Sequence, residues 1–232
     1  QNYTADKQGI ESLAMTGLTE CGTKNDDKNS FKDKLDKVSA QVYGSAAKDY
    51  STISMNCIST DFEAVWPLYA DAITSPVFNE KEFSRIKQDA INGLRSQESQ
   101  PDYAIDNMVK QMAFAGKNNA KRPEGTVATV EKLTAAEVKK HYYDVLTKSR
   151  MVIVVVGEFD KAELEKKIAA MLASVPEGKP FVLKKEMLKP VKNSFKAEKK
   201  DLATNYIQAV ASAPEPGTPD FNAFNLAMRI FS

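Results

Sequence analysis

Arg150-Met-Val-Ile-Val-Val-Val-Gly157 holds the longest unbroken apolar run in the chain. A strand covered on both faces reads as such a continuous run, so residues 150–157 are expected at the centre of a sheet. The run falls far short of the roughly 20 apolar residues needed to cross a bilayer. Just upstream, Thr134-Ala-Ala-Glu137 sets a hydroxyl three residues before a carboxylate, which starts a helix reaching Val145. Just downstream, Asp160 caps a helix predicted over 161–174.

Further upstream, residues 117–125 read as a polar, basic loop and 126–130 as a short helical turn. Three helices are predicted before them. Ser59-Thr-Asp-Phe-Glu63 opens one that runs to Ile73, with Phe62, Val65, Trp66, Tyr69 and Ile73 on one face. Ser75-Pro76 closes it. Asn79-Glu-Lys-Glu-Phe83 opens a longer helix to about Glu98, with Phe83, Ile86, Ala90 and Leu94 inward, and Pro101 starts a third that ends near Phe114. Phe62, Trp66 and Tyr69 at helical spacing read as core rather than as a cofactor box.

Two strands precede these helices. Residues 38–47 and 49–58 alternate and carry β-branched side chains, with Ala47-Lys-Asp49 as the turn between them. The first strand is small and polar, which suits a sheet edge or a place beside a ligand. A short helix from Ser30 to about Val38 comes before it, after a polar loop over 24–30. Earlier still, Gly9-Ile-Glu-Ser-Leu-Ala-Met-Thr-Gly-Leu-Thr-Glu-Cys-Gly-Thr23 places Ile10, Leu13, Ala14 and Leu18 at helical spacing, with Gly22 as a C-cap glycine. The order helix, strand, strand, helices, strand, helix predicts an α+β fold with helices packed on an antiparallel or mixed sheet.

Residues 176–197 break the composition with Pro and Gly, then Lys, and read as an interdomain linker whose lysines are solvated. Beyond it lie an expected strand over 205–212 and an amphipathic helix over 220–231. The 232 residues carry a net charge of +1 with 42% hydrophobic and 27% charged residues. That balance suits a globular protein and offers no field for nucleic acid or a membrane surface. Cys21 and Cys57 have no metal-ligand spacing and read as two buried free thiols in preference to one disulfide. Residues 1–8 show no charged-then-apolar order, so no signal peptide is read there.

Several pieces together carry a family resemblance. They are Lys121-Arg-Pro-Glu-Gly-Thr-Val-Ala-Thr-Val-Glu-Lys-Leu-Thr-Ala-Ala-Glu-Val-Lys-Lys-His-Tyr-Tyr143, the apolar run continued through Glu158-Phe159, Gly9 with Gly22-Thr23, and Ser75-Pro-Val-Phe-Asn-Glu-Lys-Glu-Phe83. In this order and spacing the chain resembles the insulinase/pitrilysin metallopeptidases, peptidase family M16. The resemblance implies an M16-type (LuxS/MPP-like) αβ sandwich, repeated twice with a linker and enclosing a peptide chamber. Residues 1–185 would be one such domain lacking its first strands, 186–196 the linker, and 197–232 the start of a second, incomplete repeat.

The family's zinc motif is His-x-x-Glu-His, in which two histidines four apart share one helix face and the Glu activates water. Anchored on Gly9, the motif positions fall on Ser12, Met15 and Thr16. Anchored on Gly22-Thr23, they fall on Leu13, Thr16 and Gly17. The third ligand, a Glu on the later long helix, falls near Asn92-Gly93. None of these is an imidazole or a carboxylate, so zinc is expected to be absent and the chain is expected to be no enzyme, although the family activity is that of a metalloendopeptidase.

No substitute set stands out. His141, the only histidine, reads as a satisfied helix-face residue, because a catalytic zinc needs three protein ligands. Glu11 and Glu20 read as solvated. Asp26, Asp27 and Asp33 read as polar surface without calcium-loop spacing. Ser12 with His141 lacks the elbow and orienting acid of a nucleophile pair.

The resemblance also implies that the strand after the zinc helix, here Val42, Tyr43, Gly44 and Ser45, pairs with peptide backbone. The same residues read equally as a blunted edge. The expected role is a non-catalytic subunit or domain that pairs with a zinc-bearing M16 partner, or with a catalytic repeat of its own chain, around bound peptide. The alternatives are a scaffold of a larger complex and, last, an active zinc metalloendopeptidase with displaced ligands. The expected compartment is the bacterial periplasm or cell envelope, with the cytoplasm as the alternative.

Overall fold

The computed structural model of the chain describes residues 2–180, 182, 194–199, 201–202 and 204–231. It divides into two compact units, Gln1–Gln97 with Lys121–Lys184, and Glu98–Ala120 with Lys185–Ser232. The linker expected over 186–196 lies mostly outside the described residues.

The first unit opens with a single turn, Ala5–Lys7, and the helix α1, Ile10–Glu20. Helix α2 follows at Lys28–Asp36. Its N-cap is Asp27, whose side chain accepts from the Ser30 amide at 2.9 Å, so the helix starts a turn earlier than a Ser30 cap predicts. Strands β1, Gln41–Ala46, and β2, Ser51–Asn56, form an antiparallel hairpin that pairs Val42 with Met55 and Gly44 with Ile53. Helices α3, Phe62–Thr74, and α4, Glu80–Glu98, come next. After the second unit's insertion the chain returns with α6, Val127–Val130, α7, Ala135–Val145, and α8, Lys161–Met171. The intervening α5, Pro101–Ala113, and the terminal α9, Pro219–Phe231, belong to the second unit.

Local chemistry sets the ends of α6 and α7. Thr126 and Thr134 each accept from the amide three residues on, and Thr129 and Glu137 bond back to the cap amides. These capping boxes satisfy amide groups that a bare helix start leaves orphaned. Glu137 also accepts from Lys7 at 2.6 Å, which ties α7 to the amino-terminal turn.

Three apolar clusters hold the unit together. Ile10, Leu13, Leu18, Phe78, Phe83, Ile86, Leu94, Val130, Leu133 and Val138 join α1 to α4, α6 and α7. Phe31, Leu35, Val42, Val65 and Leu68 join α2, β1 and α3. Trp66, Ile73, Leu164 and Met171 join α3 to α8. Ile53 of β2 packs against all three. The hairpin thus covers one face with helices and leaves Gln41, Tyr43, Ser45 and Thr52 open to solvent, the α+β arrangement of helices on an antiparallel sheet. Phe62, Trp66 and Tyr69 do form core, with ring centroids 5.4 and 5.8 Å apart along the stripe.

One expected strand does not join the sheet. Residues 151–156 alternate in burial as a strand does, with Ile153 on the Trp66 cluster, but make no strand pairing. A central strand needs a neighbour on each edge, and among the described residues only β1 and β2 pair. The expected strand over 205–212, in the second unit, likewise has no strand pairing among the described residues.

The Tyr142 ring is 4% exposed, and its hydroxyl donates to the Ile73 carbonyl at 2.6 Å, joining α7 to the end of α3. Tyr142→Phe removes the donor and strands a buried carbonyl, a loss of about 1–3 kcal/mol. Urea unfolding should show a lower midpoint at unchanged slope, and an unchanged midpoint would mean that the bond carries no stability.

Candidate functional site

The candidate site is α1 with the elements that surround it. The turn after α1 is built from main chain. Gly22 takes φ +78°, a left-handed conformation that glycine adopts without strain. Thr23 then donates its amide to the Asp26 carbonyl at 2.7 Å. The same turn is joined to the junction between α3 and α4. Lys24 N–H donates to Ser75 O at 2.9 Å, Val77 N–H to Gly22 O at 3.1 Å, and Thr23 pairs with Pro76 as an isolated antiparallel bridge. The two distant motif pieces, Gly22-Thr23 and Ser75-Pro76, are therefore bonded to each other.

That junction turns Phe78 into the core at φ +56° and 3% exposure. A β-carbon built on Gly17 would stand 2.6 Å from the Phe78 ring. Gly17 is thus a socket for an aromatic side chain.

On the other side, α1 lies directly on β1. A β-carbon on Gly44 would stand 2.2 Å from the Met15 carbonyl oxygen. The space that Gly44 leaves is filled by this helix's own main chain. Within the strand, Val42 is buried at 8%, whereas Tyr43 is 47% exposed and Ser45 is exposed. Among the described residues β1 pairs with β2 along one edge only.

The positions drawn from the zinc motif fall into two sets. Leu13 and Met15 are buried at 3% and 7% and belong to the core, while Ser12 and Thr16 are half-exposed. On α4, Asn92 and Gly93 face solvent, and a β-carbon on Gly93 would meet nothing within 4 Å. A catalytic zinc takes imidazole nitrogens and a carboxylate with one open position. The side chains on α1 and α4 supply a hydroxyl, a thioether and an amide instead, and so do not fit that ion. No group of three or more His, Cys, Asp or Glu side chains gathers among the described residues.

His141 sits on α7 with its Nε2 buried and, among the described residues, without a hydrogen-bond partner. It is therefore not the satisfied helix-face residue that the sequence suggests. Burial pushes its pKa down, against Glu11 and Asp144, which pull it up. Cys21 and Cys57 are free thiols, the first buried and the second half-buried. Burial pushes the Cys21 pKa up to about 12, so it is not a nucleophile at neutral pH.

Two carboxylates have work that sequence reasoning misses. Glu20, with its side chain 21% exposed, is not solvated: it accepts from Lys32 and, at 2.5 Å, from Arg85, with Lys28 at 3.8 Å. It thereby links the end of α1 to α2 and α4. Burial raises its pKa, and the bonds from Lys32 and Arg85 overcome that and hold it below the usual range. Asp26 is not open surface either. It is 7% exposed, accepts from Lys34 at 2.6 Å and Ser30 at 2.5 Å, and is held low chiefly by Lys34. The one available signal was the local density of Lys and Asp over residues 24–37, which does not say which members are buried.

The comparisons with known proteins agree with this geometry. Residues 132–232 match the family described as Peptidase M16 inactive domain. The chain is 24% identical over 111 residues to the non-peptidase homolog YmxG of Helicobacter pylori, covering 48% of this chain and 26% of that protein. It is 21% identical over 168 residues to an uncharacterized zinc protease of Streptomyces coelicolor, covering 69% of this chain and 36% of that protein. The chain thus spans only about a quarter to a third of these curated relatives.

Among solved structures, a peptidase M16 inactive domain from Pseudomonas fluorescens superposes with TM-score 0.74 at 21% identity, covering 82% of this chain and 46% of that one. The periplasmic protease PqqL of Escherichia coli gives 0.68 at 16% identity, covering 81% and 21%. The fold is that of the M16 peptidases. Within that fold, residues 132–232 are similar to the part described as the inactive domain.

Two measurements test this site. Gly44→Ala sets a methyl against the Met15 carbonyl and should cost about 1–3 kcal/mol or more, whereas Ser45→Ala on the open face should stay within about 0.5 kcal/mol. Equal effects would remove the close approach. Glu20 and Asp26 have depressed folded-state pKa values, so their contribution is complete above the unfolded values, near ~4, and is lost as pH falls through the folded ones. Wild-type stability should therefore drop below about pH 4, and Glu20→Gln with Asp26→Asn should flatten that acid limb. An acid limb as steep as wild type would show that the two carboxylates are not its source.

Proposed function

We propose that this chain is the non-catalytic half of an M16-type assembly. It pairs with a zinc-bearing M16 partner, or with a catalytic repeat of its own polypeptide, and forms part of a peptide-binding chamber. One observation carries the reading. Helix α1 is seated on β1 at Gly44 with its end bonded to the 75–77 junction, while Ser12, Met15, Thr16, Asn92 and Gly93, where the resemblance puts the zinc ligands, supply none. On this reading the chain binds no zinc and cleaves no peptide.

The open edge of β1 supports a peptide-pairing role. Among the described residues β1 has one unpaired edge, and such an edge offers amide and carbonyl groups to an extended peptide. Val42, Tyr43, Gly44 and Ser45 would contribute through that edge. The hollow at Gly44 is already occupied by Met15 and takes no part. The proposed compartment is the bacterial periplasm or cell envelope, with the cytoplasm as the alternative. A structure of the same fold is described as a periplasmic protease, and no helix among the described residues is long and apolar enough to cross a membrane.

Metal analysis of the purified protein, joined to affinity purification from its source cells, tests the reading. The expected outcome is no stoichiometric zinc, and a His-x-x-Glu-His protein as the main partner unless that motif lies elsewhere in the same polypeptide. About one zinc held by this domain would overturn it, since one ion is what a catalytic site requires. A large membrane complex as the main partner would favour the scaffold alternative.

A further inference from the structure

His141, the only histidine of the chain, follows Val138 and precedes Tyr142 on α7, and both of these bury into the cluster that holds Ile10, Leu13 and Leu18 of α1. Its Nε2 is closed off from solvent and, among the described residues, has no hydrogen-bond partner. Glu11 acts on the ring from α1 and Asp144 from α7 itself, yet neither forms an ion pair with it among the described residues. Asp144 accepts instead from Lys140 at 2.5 Å, and Lys7 of the amino-terminal turn beside α7 is bound to Glu137. Glu11 also acts on Tyr3, whose ring is 6% exposed and whose hydroxyl is likewise buried without a partner among the described residues. The amino-terminal arm, α1 and α7 thus meet around Glu11 with two buried polar atoms unmatched.

A neutral imidazole suits such a place better than an imidazolium. The cation carries N–H groups on both ring nitrogens, so Nε2 becomes a donor that faces no acceptor, and the charge gives up its water. Burial accordingly outweighs the pull of Glu11 and Asp144, and the His141 pKa lies below its ordinary value.

The rest of the unit does not share this sensitivity. Helix α1 is seated on β1 at Gly44, and the cluster of Phe31, Leu35, Val42, Val65 and Leu68 takes no residue from α7. The bonds from Tyr142 to the Ile73 carbonyl and from Lys7 to Glu137 tether α7 at two points. Burial raises the Tyr142 pKa, and the mutual bond lowers that of Glu137 and raises that of Lys7, so both tethers keep their charge state in mild acid.

We infer that His141 is a proton-operated latch between α7 and α1: the neutral ring keeps α7 docked, and its protonation in mild acid loosens α7 while α1 stays on the hairpin. The cover over α1 is thereby made to depend on pH. The folded-state pKa is depressed, so the docking is complete above the unfolded value of about 6.5 and is lost as pH falls through the folded one. That window lies above the acid limb of Glu20 and Asp26. The inference rests on this interface and not on the M16 reading, so a zinc measurement leaves it untouched.

An NMR titration of the His141 ring in the complete natural polypeptide, assigned by its loss in His141→Gln, should give a midpoint below about 6.5. Glu11→Gln should lower it further, because a carboxylate that favours the cation is gone. A wild-type midpoint at or above the ordinary value, or one that Glu11→Gln leaves unmoved, overturns the proposal.

Amide hydrogen exchange between about pH 7 and pH 5, each rate divided by that of an unstructured chain at the same pH, reads the loosening itself. Protection over residues 135–145 should fall by up to about tenfold per pH unit, the limit for one proton, while residues 28–36 and 41–46 keep theirs. His141→Gln and His141→Phe, which carry no charge at either pH, should each abolish the fall. Constant protection over 135–145, an equal loss over all three segments, or the same fall in either variant overturns the latch.

Discussion

A helix can rest its main chain on a strand only where the strand has no side chain, and in this domain that place is Gly44. The Met15 carbonyl occupies the volume of the missing methyl. With α1 seated there, its carboxyl end meets the 75–77 junction through main-chain bonds, and the junction in turn directs Phe78 into the hollow at Gly17. Two glycines, one under the helix and one within it, therefore fix α1 against the hairpin and against the start of α4. The ionic links from Glu20 to Lys32 and Arg85 lie over this arrangement and, being part-exposed, contribute less than the packing beneath them.

The seating of α1 and the chemistry along it are separate matters. Ile10, Leu13, Ala14 and Leu18 bury one side of the helix whatever the other side carries. Ser12 and Thr16 face the half-exposed side, and Asn92 and Gly93 lie on the solvent side of α4. The packing that holds α1 is thus independent of whether the side chains along it suit a metal ion.

Much of this was legible in the sequence because it depends on neighbours a few residues apart. Thr134 with Glu137, Asp160 before α8 and Gly22 after α1 each act within one turn, and each does what its residue type predicts. What was not legible depends on partners distant in the chain. Asp27 and Ser30 are both good caps, and choosing between them needs the loop's path, which buries Asp26 under Lys34. Glu20 looks like any surface carboxylate until α2 and α4 bring Lys32 and Arg85 to it. Gly44 suggests a close approach without saying by what. The apolar run at 151–156 reads as a central strand yet makes no strand pairing among the described residues, because an apolar run says that a face is buried and not which segments pair with it.

Gly93 has empty space where a side chain would begin, and Asn92 beside it is open to water. Substitutions at such points change little in packing and little in desolvation, so almost any residue is admitted there at small cost to folding. On α4 a polar or charged side chain can therefore come or go at these two positions without disturbing the helix that bears it.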